Sequence, residues 1–327
     1  MVLPGSPDSF QCRFTMSDCP PEMPTRSRSK RSRSDFQIAI AVGWMLALGG
    51  CATIPKAELG AYNESFQAAQ AAAKPIIADY AVAERAARQS QLRRTLLDCE
   101  IQPCPRLFDH GYYALFRVED ARAVSTIGLP PGADALDRAF RAIQSYNETL
   151  VALAEGRNID EAKGQLRSII ADLGPLAGIA APEVAALNAT SQLLVDALKP
   201  AITEGNRREF LRLVLDGQDE VVTLIDLVQG FSDDQFLAVT RPLVDREAIA
   251  PDSEKPAIRD KINHWHTVFA DYVILLDAMK SRLGDLKEVA LHPKEEALLA
   301  RASRGSAELR VYAETLQRSI DELHAAR

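Results

Sequence analysis

The stretch that decides the fold is residues 258–286, IRDKINHWHTVFADYVILLDAMKSRLGDL. Its apolar side chains recur at alternating intervals of four and three residues, which places them on one stripe of a helix. They are Ile258, Ile262, Trp265, Phe269, Tyr272, Leu276, Met279, Leu283 and Leu286. Polar residues occupy the flanking positions, so the pattern predicts a long helix that buries one seam against its neighbours.

Two other long helices are predicted, one over about residues 56–98 and one over about residues 293–325. Pro75 falls inside the first of them, where we expect a kink near Lys74 rather than a break. In the first helix apolar residues recur every seven positions, at Leu59, Phe66, Ala73, Tyr80 and Ala87 and at Tyr62, Ala69, Ile76, Ala83 and, after the polar Ser90, Leu97. In the last helix one side carries Leu298, Ala302, Leu309, Tyr312, Leu316, Ile320 and Leu323.

Shorter helices are predicted between the long ones, over about residues 133–155, 159–173, 182–204, 207–229 and 233–244. Asn206 with Glu209, and Ser232 with Gln235, have the spacing of capping boxes. The connections are short, so consecutive helices are expected to be antiparallel neighbours. The sequence therefore predicts an all-α fold, an elongated up-and-down antiparallel helical bundle with long first and last helices.

Residues 101–132 do not fit the helical pattern, because prolines and glycines interrupt them. This irregular, aromatic-rich insertion carries four aromatic residues in close succession: Phe108, Tyr112, Tyr113 and Phe116. One interpretation is a capping loop that folds its aromatic rings over the end of the bundle. The other is a contact surface for a partner protein, since aromatic residues on loops are favoured at interfaces.

The amino-terminal region has a basic segment, residues 26–33, followed by an uninterrupted apolar run, residues 38–50. The run is too short to cross a bilayer as a helix and fits the apolar core of a signal peptide. It ends in Leu48-Gly49-Gly50-Cys51, which resembles the lipobox of bacterial lipoproteins. An ordinary secretory signal or an uncleaved anchor is the alternative.

The lipoprotein resemblance implies that residues 1–50 are a leader, that Cys51 becomes the amino terminus, and that its sulfur carries a lipid. Residues 1–22 are either a misassigned start, with translation beginning at Met23, or a disordered extension. Ala52 is not the aspartate that often signals retention at the inner membrane. The resemblance therefore implies a chain anchored in the outer membrane by its lipid and acyl chains, with residues 51–327 forming a helical bundle in the periplasm.

Charge and cysteine content agree with an envelope protein. The leader holds six basic and four acidic residues, which leaves 32 basic and 41 acidic residues after it, a net charge of −9. This acidity argues against nucleic acid or an anionic membrane face as the main partner. Cys99 and Cys104 enclose a short loop that contains a proline, so a disulfide is predicted, with two free thiols as the alternative.

The sequence offers no constellation that predicts catalysis, a metal site or a cofactor. Two pairs, Asp260 with His264 and Asp321 with His324, share a helix face and are interpreted as surface pairs. Asn147 lies on an apolar stripe, where a lone polar residue more often fixes helix register than binds a ligand. We therefore expect a structural or adaptor lipoprotein that contacts an envelope protein, not an enzyme. The alternative is a module that binds a lipid or small ligand in a groove between alanine-rich helices.

Overall fold

A computed structural model of the chain describes residues 56–101, 121, 125–173, 182–292 and 294–325, with side chains omitted for 92–101 and 182–184. Within these residues the structure contains helices and no strand, which confirms the predicted all-α bundle. The helices are α1 (Lys56–Ile101), α2 (Pro131–Ala154), α3 (Ile159–Leu173), α4 (Pro182–Thr203), α5 (Arg207–Asp216), α6 (Gln218–Gly230), α7 (Ser232–Ile249), α8 (Lys255–Leu291) and α9 (Glu296–Ala325).

Helices α1 and α2 are antiparallel, and polar contacts mark the two ends of their interface. At one end, here called the lower end, the Lys56 ammonium lies 3.5 Å from the Glu155 carboxylate. At the other, the upper end, the Glu84 carboxylate accepts hydrogen bonds from the backbone N–H groups of Gly132 and Ala133 at 2.9 and 3.1 Å. Glu84 thereby satisfies two of the unpaired donors in the first turn of α2.

The sequence predicts one helix over residues 207–229, but the structure has two, α5 and α6, separated at Gly217. The backbone at Gly217 departs from helical geometry, with ψ at 1°, and glycine is among the weakest helix formers. A Cβ atom at this position would lie 2.8 Å from Cδ2 of Leu198 in α4. The capping prediction at Asn206 is confirmed, because its side chain accepts from the backbone N–H groups of Arg208 and Glu209. Ser232 is not a cap; Phe231 takes that position, and the Ser232 side chain is buried.

Helices α6 and α7 follow one another in the same direction and together form one limb that is antiparallel to α8. Three ion pairs along this limb fix the direction. Lys287 meets Asp219 at 3.2 Å, Lys280 meets Asp226 at 2.6 Å, and Arg259 meets Glu247 at 2.5 Å. The direction of this part of the chain therefore agrees with the predicted antiparallel bundle.

The predicted seam of α8 is buried along most of its length, with Ile262 only half-buried. A second row is buried as well, at Val268, Leu275, Ala278 and Val289. The second row is covered because α8 packs against both the broken limb and α9. Arg282 pairs with Glu308 at 2.9 Å, and Ser319 donates to Asp271 at 2.7 Å, so α8 and α9 are antiparallel.

Helix α1 is continuous through Pro75, and its predicted stripe is buried only as far as Tyr80 and Ala81. Ala83 is half-buried and Ala87 is exposed, so the heptad pattern continues past the point where neighbouring helices cover it. On α9 the buried position is Ala313, whereas Tyr312 is 37% exposed, contrary to the predicted stripe.

In neither predicted pair, Asp260 with His264 or Asp321 with His324, does the imidazole contact the carboxylate of the predicted aspartate. The His324 imidazole lies 2.8 Å from the Asp79 carboxylate of α1, while Asp321 accepts a hydrogen bond from Gln317. His264 contacts the backbone oxygen of Asp260, not its carboxylate. In the first case the competing partner belongs to another helix, so sequence spacing within α9 could not reveal it.

Candidate functional site

The upper half of α1 is the part of the structure that bears on the predicted partner contact. Arg85 donates hydrogen bonds to the backbone oxygens of Ser125 and Gly128, at 2.8 and 2.5 Å. Beyond Arg85 the helix continues for 16 residues to Ile101, a rise of about 24 Å. Ala86, Ala87, Gln89, Ser90 and Gln91 are exposed, so the bundle leaves these positions of the helix open to solvent.

The predicted contact residues lie outside the described residues. These are Phe108, Tyr112, Tyr113 and Phe116. The structure describes the chain on both sides of this segment, and both sides are connected to α1. The segment begins after Ile101, the last residue of α1, and it is followed by the turn at residues 125–128, whose backbone oxygens accept hydrogen bonds from Arg85 of α1. The insertion therefore joins two points of α1 that are about 24 Å apart along the helix axis.

The predicted lipidation and disulfide sites also fall outside what the structure describes. Cys51 and Cys104 are not among the described residues, and Cys99 is described only by its backbone in α1. Both assignments therefore stay predictions. The predicted bounds of the insertion, residues 101–132, overlap the two neighbouring helices slightly, because α1 includes Ile101 and α2 begins at Pro131.

Sequence reasoning missed a group of exposed apolar side chains at the upper end. Helices α7 and α8 form a hairpin that continues past the contact between the Phe231 and Tyr80 rings, whose centroids are 5.7 Å apart. On α7, Leu237, Val244 and Ile249 are 62, 51 and 87% exposed, and on α1 Val82 is 64% exposed. Helical periodicity did not reveal them, because they lie outside the buried faces of their helices.

The interior contains a few polar side chains that link neighbouring helices. The Tyr146 hydroxyl of α2 donates to the backbone oxygen of Val214 at 3.0 Å, and the Gln218 amide donates to that of Leu283 at 2.8 Å. Asn147 is 1% exposed and lies beside the Tyr62 hydroxyl. The prediction that Asn147 is a core residue is confirmed, and its position between α1 and α2 suits a role in helix register.

Burial raises the pKa of three tyrosines well above its ordinary value of about 10. For Tyr62 and Tyr272 the cause is loss of hydration, opposed in part by the side chains of Asn147 and Gln235. For Tyr146 loss of hydration acts first, and the charges of Tyr62, Asp219 and Glu220 raise the pKa further. The folded state therefore holds these three phenols neutral.

We expect this protein to unfold at alkaline pH with a delayed release of phenol protons. A raised folded-state pKa stabilises the fold fully below the unfolded value, about pH 10, and that contribution is lost as the pH rises above it. In a spectrophotometric titration, Tyr62, Tyr146 and Tyr272 should ionise together with the loss of helical circular dichroism. Tyr146→Phe should remove one phenolate from that cooperative step. Ionisation of all tyrosines with the helical signal intact would contradict the burial of these rings.

A shallow, open depression of about 520 Å³ lies at the lower end, between the first turns of α1 and the loop after α2. Its lining is Lys56, Ala57, Gly60, Ala61, Glu64 and Glu155. The small residues form the floor and the charged side chains form the rim. By contrast, the alanines farther along α1, including Ala69, Ala72 and Ala73, are buried in the core and allow close helix packing.

No known protein family, no curated protein and no solved structure matches this chain. Within the described residues, no group of histidine, cysteine, aspartate and glutamate side chains is arranged to hold a metal ion. None of the helices described combines the length and the apolar content of a membrane-spanning segment. The function must therefore be inferred from the sequence motif and from the geometry of the bundle.

Proposed function

We propose that this protein is a lipid-anchored helical lipoprotein of the bacterial outer membrane. It faces the periplasm and acts as a structural or adaptor component that contacts another envelope protein. Its anchor is the lipid on Cys51, and its contact element is the aromatic insertion with Phe108, Tyr112, Tyr113 and Phe116. The proposal includes no catalytic reaction and no nucleic acid partner.

The observation that carries the proposal is the position of α1 between the two functional elements. The helix begins at Lys56, five residues after Cys51, and ends at Ile101, where the insertion starts. Its 46 residues rise about 69 Å. The lower end is thus tethered to the anchor by a few residues, while the insertion starts at the far end of the longest helix described.

The upper part of α1 and the α7–α8 hairpin lie at the end of the bundle where the insertion begins and ends. Arg85 and Glu84 fix the returning chain and the start of α2 to α1 through backbone hydrogen bonds. Exposed apolar residues on α7 stand at the same end of the bundle. An interface of aromatic anchors with an apolar surround matches the way that binding energy concentrates in a few residues.

The second candidate is binding of a small ligand, and the depression at the lower end is the observation that favours it. Because charged side chains form its rim, this site suits a polar or zwitterionic ligand rather than an acyl chain. An apolar groove between the alanine-rich helices has less support, since the core alanines of α1 are covered by neighbouring helices.

Site-specific photocrosslinking in intact cells tests the adaptor proposal. We expect a crosslinker at Ser90, on the exposed upper half of α1, to capture a defined envelope protein. The same crosslinker at Leu193, which is 60% exposed on α4, serves as the matched control and should capture none. Replacing Phe108, Tyr112, Tyr113 and Phe116 together by alanine should abolish the Ser90 adduct. An adduct that persists in this variant, or that forms equally at Leu193, would contradict the proposal.

A further inference from the structure

Three polar side chains are buried together at the base of the α7–α8 hairpin. Ser232 and Gln235 are three residues apart on α7, so they share one face of that helix. Tyr272 belongs to α8, and like the other two it is buried. The ion pairs between α8 and the limb formed by α6 and α7 set an antiparallel register in which Gln235 lies at the level of Tyr272. The three side chains therefore meet between the two helices.

The polar atoms of this group have no hydrogen-bond partner among the described residues. They are the hydroxyl oxygens of Ser232 and Tyr272 and both polar atoms of the Gln235 amide. The Gln235 side chain is near enough to oppose, in part, the effect of burial on the pKa of the Tyr272 phenol, but it completes no direct hydrogen bond to it. A buried polar atom without a partner destabilises the fold, so four such atoms in one place require a physical explanation.

Several other buried hydroxyl groups are satisfied by the backbone of their own helix. Thr149, Thr240 and Ser306 each donate to the backbone oxygen four residues earlier, at 2.8, 2.7 and 3.0 Å. Ser232 is the first residue of α7, so the backbone oxygen four residues before it belongs to α6. The amide of the buried Gln218 likewise donates to a backbone oxygen, at 2.8 Å, whereas that of Gln235 does not. Backbone groups therefore do not satisfy the polar atoms at this site.

The chemistry of the three side chains indicates which molecule suits the site. None of them carries a charge, and each of them can both donate and accept a hydrogen bond. Aromatic rings lie beside them: Phe231 precedes Ser232 in the chain and is buried, and the centroid of the Phe269 ring is 6.2 Å from that of Tyr272. These surroundings disfavour an ion. A buried water molecule typically makes about three hydrogen bonds to polar groups that lack other partners, which matches this group.

We propose that Ser232, Gln235 and Tyr272 bind a buried water molecule between α7 and α8. The water oxygen accepts a hydrogen bond from the Tyr272 hydroxyl, and the water donates to the Gln235 amide oxygen and to the Ser232 hydroxyl oxygen. The site directly follows Phe231, whose ring contacts Tyr80 of α1. The water thus links the two helices at the base of the hairpin. This site does not depend on the proposed anchor or on the proposed partner contact.

Oxygen-17 magnetic relaxation dispersion tests this site, because it counts the water molecules that stay inside a protein for longer than the protein takes to rotate in solution. The parent protein is compared with Gln235→Met, which keeps the length of the side chain but removes both of its polar atoms. We expect the number of long-lived waters to fall by one in the variant. An equal number in the parent and in Gln235→Met would overturn the proposal.

A matched control and a second variant tie the lost water to this site. Thr240→Val removes another buried hydroxyl of α7, one that already donates to the backbone oxygen of Phe236, and it should keep the number of waters found in the parent. Loss of a water in Thr240→Val as well would overturn the assignment. If Gln235→Met lacks the helical circular dichroism of the parent, Tyr272→Phe takes its place. Tyr272→Phe removes a single oxygen atom and should also lower the number by one.

Chemical denaturation provides a second test, in which the sign of the effect separates a hydrated site from a dry one. With the water in place, Gln235→Met removes one of its partners and leaves the Tyr272 phenol buried without a hydrogen bond, so the denaturation midpoint should fall. At a dry site the same substitution would remove a buried amide that has no partner, and the midpoint would rise. A raised midpoint for Gln235→Met would therefore contradict the proposal.

Discussion

Replacing Cys51 by serine is expected to abolish lipid attachment. The thioether of a lipoprotein forms on the cysteine sulfur, which serine lacks, and the lipobox resemblance of residues 48–51 places that sulfur at the processing site. Metabolic labelling with a fatty-acid analogue, followed by purification, measures the effect as complete loss of label. The variant should also keep its leader, because processing by the lipoprotein pathway follows lipid transfer.

Cys99→Ser is the matched control for this experiment, since it removes a sulfur elsewhere in the same chain. It should retain the label of the parent. Equal labelling of Cys51→Ser and the parent would remove the basis of the anchor and of the outer-membrane assignment. Loss of label in both variants would point to a folding or export defect rather than to the lipidated cysteine.

Replacing Phe269 by alanine is expected to lower the free energy of unfolding by about 3–5 kcal/mol. The ring is 6% exposed. It packs against Phe236, Trp265 and Tyr272 with centroid separations of 5.6, 5.9 and 6.2 Å. Truncation would leave a cavity where α7 meets α8. Since a typical domain is stable by about 5–15 kcal/mol, this loss should be evident in chemical denaturation.

The control on the same helix is His264→Ala, which should change stability by under about 0.5 kcal/mol, as exposed substitutions usually do. His266 also lies beside the seam, where its position in the sequence predicts an equally small effect. The structure shows His266 exposed, but its ring centroid lies 4.4 Å from that of Phe236. A ring contact of this kind contributes about 0.5–1.5 kcal/mol, so His266 is the poorer control. A loss below about 1 kcal/mol for Phe269→Ala would show that the ring is not packed as described.

The sequence alone determined most of the helices and, for the long ones, most of the buried face. The four–three spacing of α8, the bounds of α3 and the Asn206 cap each depend on residues within a few positions of one another, so local pattern suffices to predict them. The lipobox and the acidic charge are likewise properties of the chain itself. These features were enough for the all-α class and for a proposed compartment.

The candidate site was predictable only in part. The aromatic insertion stands out by composition, but its attachment to α1 through Arg85 depends on a residue about 40 positions away in sequence. The exposed residues of α7 could not be distinguished from core residues, because an apolar side chain shows burial only when its neighbours are known. The depression at Lys56 likewise needs the loop at Glu155 to close one side.

The tertiary structure decided where helices break, which faces are covered and which charges meet. Gly217 separates α5 from α6 and lies against Leu198 of α4, and α8 buries a second row because two neighbours flank it. His324 pairs with Asp79 of α1 rather than with a residue of its own helix. Each of these outcomes depends on contacts between distant parts of the chain, whereas helical periodicity records only the local preference for burial on one side.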